Sequence, residues 1–258
     1  MSKLSAKSAK WLALLQEKLP DRQIGLAPAD ALFTRKVELP ANLEWEDKLA
    51  YIELALEGNA PFPMDQLAWG FLQSTQSPFV FVYATPRSRL RRLEIEDAEK
   101  YHQLFPGFVT LFGETFDKPS VRFLSQNGVM SALFFPADNP VPEKVLSRKV
   151  AADLLTDDVL LEARNRLAGS IKDDEFALED GLWLGEGVRI QNDGVPVFKH
   201  RHLREGTPQG IKEHPLHLDE NTLWSADLRD SDYAGRERVT RKRSRLIWNA
   251  LRAAVVTV

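Results

Sequence analysis

The sequence predicts a mixed fold of helices and strands, α/β or α+β, arranged in two lobes. Three observations lead there. Helix-period and strand-period stretches alternate through the first half of the chain. Two turn signals, Asn127-Gly128 and Asn192-Asp193-Gly194, mark hairpins that dominate the second half. The run FVFVYA at Phe79 to Ala84 is the clearest buried strand.

The elements follow in order. Leu4, Trp11, Leu12, Leu15 and Leu19 recur at helical spacing, so Ser5 to Leu19 reads as a helix that Pro20 and Asp21 end. Gln23 to Ala27 and Leu32 to Leu39 read as short strands around a turn at Pro28-Ala29-Asp30. A helix over Leu43 to Glu57 carries the stripe Trp45, Leu49, Ile52 and Leu56, with Asn42 as its N-cap and Gly58 as its stop. Pro61-Phe62-Pro63 makes a rigid corner before an apolar segment through Leu67, Trp69 and Phe71. Thr85-Pro86 suits a helix start, and Leu90, Leu93, Tyr101 and Leu104 extend that helix to about Phe105. Phe108 to Phe112 reads as a strand. Val121 to Ser125 pairs with Val129 to Phe135 across Asn127-Gly128. Asp157 to Ala168 reads as a helix with Gly169 after it, and Leu182 to Ile190 pairs with Val195 to Lys199. The polar stretch His200 to Asn221 reads as a loop, and the chain from Gly235 onward as helical.

Composition narrows the function. Apolar residues make up 43% of the 258 and charged residues 28%, which excludes a fully disordered chain. The absence of cysteine excludes a disulfide framework, thiolate metal sites and a cysteine nucleophile, and it suits a reducing compartment. No run of 18 apolar residues occurs, so no helix within these residues is expected to span a bilayer. The apolar core Trp11 to Leu15 is cut short by Gln16, Glu17 and Lys18, which fits an amphipathic helix rather than a signal peptide.

Charge is uneven along the chain. Residues 235–252 hold seven basic side chains and one acidic one, a net +6, which leaves −9 for the rest of a chain whose total is −3. An acidic body with a basic tail points to an anionic target for the tail.

Between Ile24 and Leu72 the order IGLAPADALFTRKVELP, EWEDKLAYIELALEG and NAPFPMDQLAWGFLQ resembles the actin-like PilM family of type IV pilus assembly. It is equally similar to the cytoplasmic domain of the type II secretion L protein, GspL. Arg35, Lys36, Leu39, Pro40, Pro61, Phe62 and Pro63 carry the likeness over about fifty residues, and FVFVYATPRSRL extends it less specifically. The resemblance implies a reduced actin-like, RNase H-like fold in two lobes, about 1–118 and 119–232, followed by a basic juxtamembrane helix at 233–258.

The departures bear on activity. Nucleotide-binding actin-like proteins open with a strand and a loop of the form Asp-x-Gly-x-x-Ser/Thr, in which glycine lets backbone N–H groups approach phosphate. Only some twenty residues precede Ile24 here, and they read as one helix. The region of the second phosphate loop, VRFLSQNGVMSAL, holds no Asp-x-Gly. The resemblance therefore implies a partner-binding role without catalytic residues, cofactor or metal. A second likeness covers WSADLRDSDYAGRERVTRKRSRLIWNALRAAVV, which is similar to the junction in GspL and in the pilus partner PilN. In PilM–PilN pairs the partner's N-terminal peptide docks in a groove of the actin-like domain. Trp224, Leu228 and Arg229 are accordingly the candidate docking peptide within this chain.

Other side-chain groups have plainer readings. Arg241, Lys242, Arg243, Arg245 and Arg252, with Trp248 and the apolar Leu246, Ile247, Leu251, Val255 and Val256, suit an anionic membrane surface. A solvated helix is the bland alternative, and single-strand nucleic-acid binding is disfavoured by too few interleaved aromatics. His200, His202, His214 and His217 read as polar loop histidines, since Pro215 breaks helical metal-ligand spacing and no His-Glu-x-x-His is present. Gly185-x-Gly187 reads as a strand bulge rather than a phosphate loop. Asp173, Asp174, Glu175, Glu179 and Asp180 read as a solvated acidic run, and no Gly-x-Ser-x-Gly elbow supports hydrolysis. Trp11 and Trp45 read as core, and Trp69 as core or interface.

The expectation is a non-catalytic scaffold on the cytoplasmic side of a bacterial inner membrane. It would link an assembly ATPase to other platform proteins, with no nucleic acid among its partners and a homodimer left open. The alternatives are an actin-like ATPase or kinase relative with unrecognised phosphate loops, and a nucleic-acid-binding module using the basic tail.

Overall fold

A computed structural model describes residues 23–74, 77–95, 101–113, 115–152, 154–190, 196–204, 207–215 and 225–228. Its strands form three sheets. Strands β1 (Gln23–Ala27) and β5 (Tyr101–Pro106) pair in parallel. Strand β4 (Phe79–Pro86) is the centre of an antiparallel three-stranded sheet, between β2 (Phe33–Glu38) and β3 (Leu67–Gln73). The largest sheet runs β12-β11-β10-β6-β7-β8, from Thr207–Pro215, Pro196–Arg204, Leu182–Ile190, Ser120–Gln126 and Val129–Phe135 to Lys144–Lys149, and the short β9 (Ala177–Leu178) also pairs with β6.

Side-chain alternation turns these sheets into layers. On β4, Phe79, Phe81 and Tyr83 face a central core, while Val80, Val82 and Ala84 face helix α1 (Trp45–Glu57) through Ile52 and Leu56. On β7 every residue is buried: Leu133 and Phe135 enter the central core, and Met130, Ala132 and Phe134 pack under helix α3 (Asp157–Gly169). The central core therefore lies between the three-stranded and the large sheet. It also takes in Ile24 of β1, Leu104 and Phe105 of β5, and Phe108 and Val109 of the turn that follows. Phe108 meets both Phe81 and Tyr83 edge-to-face at 5.6 Å, one of the aromatic geometries that favour the ring quadrupoles.

The helix at 157–169 and the hairpin at Asn127-Gly128 form where the sequence predicts them. Thr156 caps α3, accepting from the Val159 N–H. Asn127 and Gly128 both take positive φ, 51° and 73°, the geometry of a type I′ turn.

Five expectations need correction. The helix expected to run from Pro86 to Phe105 stops early: α2 spans only Arg87–Arg92, Glu94 adopts a left-handed φ of 56°, and Tyr101–Pro106 is strand β5. The apolar spacing that suggested a helix is satisfied instead by Leu104 and Phe105 inside the central core. Phe108–Phe112 is not a strand; Gly107–Leu111 winds into a tight 3₁₀ turn with all five residues buried. His200 to Asn221 is not wholly loop, because β11 reaches Arg204 and β12 pairs back onto it. Asn42 does not cap α1; the cap position falls to Glu44, with no side-chain bond, and Asn42 takes φ 62°. Trp45 also departs from its core assignment, being 37% exposed while stacking obliquely on Phe71. The expected helices at 5–19 and beyond 235, with Trp11, lie outside the described residues, as do the boundary at 232–233 and His217.

Candidate functional site

The most distinctive site is a groove already filled by the chain itself. Residues Ser225–Leu228 lie against the free edge of β5 and beside β3 and β4. The Leu228 N–H donates to the Leu104 carbonyl at 2.8 Å. The Leu104 N–H donates to the Asp227 carboxylate at 3.1 Å. The Tyr83 hydroxyl donates to the Ala226 carbonyl at 2.6 Å. Both polar backbone groups of Leu104 thus engage the segment, one through the Leu228 main chain and one through the Asp227 side chain.

Packing fixes the same segment. Ala226 and Leu228 are fully buried and belong to the central core, and Asp227 is nearly so. Gly70 forms the wall. A Cβ on Gly70 would stand 2.9 Å from the Ser225 carbonyl and 3.1 Å from that of Asp227. Only glycine lets β3 approach that closely.

Electrostatics follows from burial. Removal from water holds the Tyr83 hydroxyl well above its usual range, and the Asp227 charge pushes it the same way. Tyr83 is therefore a fixed donor. The groove offers one phenolic donor, one backbone donor and one backbone acceptor, with apolar room for two small or aliphatic side chains. That arrangement holds a turn of the chain, helical at Ser225 and turning at Ala226.

Of the candidate docking residues, Leu228 lies in this groove. Trp224 and Arg229 lie outside the described residues, as do Arg241, Lys242, Arg243, Arg245, Trp248 and Arg252. Tyr83, Gly70 and Leu104 were not singled out from the sequence as site residues, whereas Asp227 falls within the candidate docking stretch Trp224 to Arg229. Gly70 carried a signal, a glycine inside the apolar run LAWGFLQ. Tyr83 carried a weaker one, the lone polar tip in FVFVYA.

A second polar cluster corrects two readings. His200 and His202 are not loop histidines: they are buried on β11, with ring centroids 5.9 and 4.5 Å from Trp183. Glu179 is not solvated. Its Oε1 lies 2.5 Å from Arg122 Nη1 and 3.3 Å from His202 Nε2, and its Oε2 accepts from Trp183 Nε1 at 3.2 Å. Among the described residues no three His, Asp or Glu side chains converge as a metal set. Gly185 and Gly187 sit at a register shift between β10 and β11, and Gly185 lies directly against the Gln126 amide. Among the described residues no helix is long and apolar enough to cross a membrane.

No family model matches the chain, and no curated protein matches it. Solved structures do. The chain is similar to the cytoplasmic domain of EpsL, an inner-membrane component of the type II secretion system of Vibrio cholerae, at 12% identity over 66% of each chain, with a TM-score of 0.39. It is similar to the PilM-PilN type IV pilus biogenesis complex at 16% identity over 66% of this chain and 55% of that one, again with a TM-score of 0.39. A protein of unknown function from Bacteroides thetaiotaomicron, with an actin-like ATPase fold, matches at 8% identity over 69% of this chain and 66% of that one, with a TM-score of 0.32. The likeness thus spans just under two thirds of the EpsL domain and just over half of the PilM-PilN chain.

Proposed function

We propose that this chain is a non-catalytic scaffold of a bacterial inner-membrane assembly platform of the type IV pilus or type II secretion kind. Its body is a reduced actin-like domain that binds other platform proteins and an assembly ATPase on the cytoplasmic side. Its basic segment, 236–252, meets the anionic membrane surface. The observation that carries the reading is the seat of Ser225–Leu228 in the β5 edge groove. A surface that holds a short peptide by hydrogen bonds and two sunken side chains is suited to recognition. The sequence resemblance over residues 24–72 supplies the kind of machine.

The test is recovery of partners from solubilised bacterial inner membranes by the tagged chain, beside calorimetry with Mg-ATP. Recovery of pilus or secretion components, with no heat of binding at about millimolar nucleotide, is the expected result. Micromolar nucleotide binding would replace the scaffold with an actin-like ATPase, and recovery of no such component would remove the platform assignment.

A further inference from the structure

Helix α1 covers the three-stranded sheet with Ile52 and Leu56, and its opposite face has no cover among the described residues. That outer face carries Tyr51, 39% exposed, and Leu54, 66% exposed, one turn apart. Around them stand five exposed carboxylates, Glu44, Glu46, Asp47, Glu53 and Glu57. The helix has one lysine, Lys48, and its Nζ donates to Gln73 at 2.9 Å. An apolar pair inside an acidic rim is the complement of a basic amphipathic segment.

The most basic such segment of the chain lies at 236–252. Residues 236–252 include seven basic side chains beside Leu246, Ile247, Trp248 and Leu251. The place where the described chain ends makes the meeting reachable. Ser225 and Asp227 lie against Gly70 of β3, and the next residue, Phe71, stacks on Trp45 of α1 at 5.9 Å. Gly70 and Phe71 point to opposite faces of β3, so the segment leaves the groove at Leu228, beside β5, on the face of the three-stranded sheet opposite α1, and β3 is the sheet edge it must round. Residues 229–235 can extend over roughly 24 Å, enough to round the β3 edge and cross a layer spacing of about 10 Å and a helix about 10 Å across.

We infer that the acidic outer face of α1 is the intramolecular dock of the basic segment 236–252, with Tyr51 and Leu54 receiving its apolar side chains. The inference does not rest on the platform reading. It makes α1 a competitor of any anionic surface, because both would use the same arginines and the same tryptophan.

The full chain contains no cysteine, so Ala50→Cys with Asn249→Cys places two unique thiols. A short bismaleimide should close an intramolecular cross-link at low salt, with yield independent of protein concentration. Glu53→Lys with Glu57→Lys should lower that yield at least tenfold. These two lie in the last turns of α1, where lysine suits the helix dipole, so the helix is retained. Leu54→Ser, a solvent-side change, should lower it several-fold without altering the melting temperature. About 1 M salt, with a screening length near 3 Å, should act as the charge reversal does. No cross-link at low salt, or a yield that ignores Glu53 and Glu57, overturns the inference. Products found only as cross-linked dimers would assign the face to a second copy and overturn the in-chain dock. A cross-link from Ala50 to Lys10→Cys in place of Asn249→Cys would assign it to the N-terminal residues and overturn it equally.

Discussion

The Tyr83 hydroxyl donates to the Ala226 carbonyl at 2.6 Å, joining residues 143 positions apart in the centre of the molecule. Tyr83 sits in the middle strand of the three-stranded sheet and Ala226 near the end of the described chain, so this bond ties the segment 225–228 to the body. Leu104 supplies the other two main-chain contacts, and Leu228 and Ala226 supply the buried area. Docking therefore rests on few groups, and each can be removed separately.

Tyr83→Phe keeps the ring and its contacts with Phe108 but leaves the Ala226 carbonyl without that donor in a dry site. Losing such a buried partner costs about 1–3 kcal/mol. Thermal unfolding should show that loss, and limited proteolysis should reach the 225–228 region sooner than in the parent. Unchanged cleavage would mean that apolar burial alone seats the segment.

The same hydroxyl sets an alkaline limit. Burial, aided by Asp227, raises the Tyr83 pKa in the folded state. In the unfolded chain it ionises near its ordinary value of about 10. Above that pH the unfolded state loses the proton first. The stability contributed by Tyr83 is therefore complete below about pH 10 and is lost as pH rises toward the folded value. Stability measured in denaturant between pH 8 and pH 11 should fall less steeply for Tyr83→Phe than for the parent. Parallel slopes in the two proteins would refute the assignment.

Gly70 tests the groove from its wall. Gly70→Ala places a methyl group against the carbonyls of Ser225 and Asp227, neither of which can move without disturbing its neighbours' bonds. The segment should be displaced while β3 and β4 keep their ladder. Hydrogen exchange should then show the Leu228 amide losing protection and the β3–β4 amides retaining theirs. Joint loss across both would indicate that β3 itself unfolds.

Much of this fold was legible where local signals and tertiary demand agree. The Asn127-Gly128 hairpin, the capped helix at 157–169 and the apolar FVFVYA strand each form as their residues suggest. The failures share a physical cause. Leu104 and Phe105 have an apolar spacing that fits either period, and only pairing with β1 decides for a strand. Strand β8, KVLSRK, is a half-exposed sheet edge whose charges hide its pattern. His200 and His202 looked solvated because nothing local shows that Trp183 and Glu179 will surround them. Leu228 lies in the groove, and the groove's walls come from strands distant in sequence, which no local signal brings together.

Arg201 joins the large sheet to the start of α3. Its guanidinium binds both oxygens of Asp157, at 2.7 and 2.9 Å, and its Nε donates to Glu186 at 3.0 Å. The Arg201 hydrogen bonds hold the Asp157 carboxyl below its ordinary value against the opposing effect of burial, and the Arg201 charge adds to them less than either. The stability this carboxylate contributes is present above its unfolded pKa and is lost as pH falls through the lower folded one. Arg201→Gln should return the Asp157 titration, read by NMR, toward the ordinary carboxylate range and flatten the acid limb of the stability profile. The loss of stability at neutral pH should be small, since the Asp157 side chain is 49% exposed and screened by water.

Glu179 presents the opposite case, a carboxylate only 6% exposed, whose chief partner Arg122 is 22% exposed and also stacks on Phe116 at 3.9 Å. Its backbone carbonyl accepts from Arg164, and its side chain meets Trp183 and His202 as well. The pair stands where β9 and β10 flank β6, on the face of the large sheet that carries Leu124 and Trp183, opposite α3. Glu179→Gln preserves the shape and one acceptor oxygen but removes the charge that compensates Arg122. Breaking one side of a buried pair costs about 3–5 kcal/mol, and the partial exposure of Arg122 lowers that to about 2–3 kcal/mol here. Arg122→Met alone should be similarly harmful, because it strands the more deeply buried carboxylate. The double variant should recover most of the loss, since neither charge then remains uncompensated. Chemical denaturation of the four proteins measures this coupling directly. Strict additivity would show that Trp183 and His202, rather than Arg122, hold the Glu179 carboxylate in place.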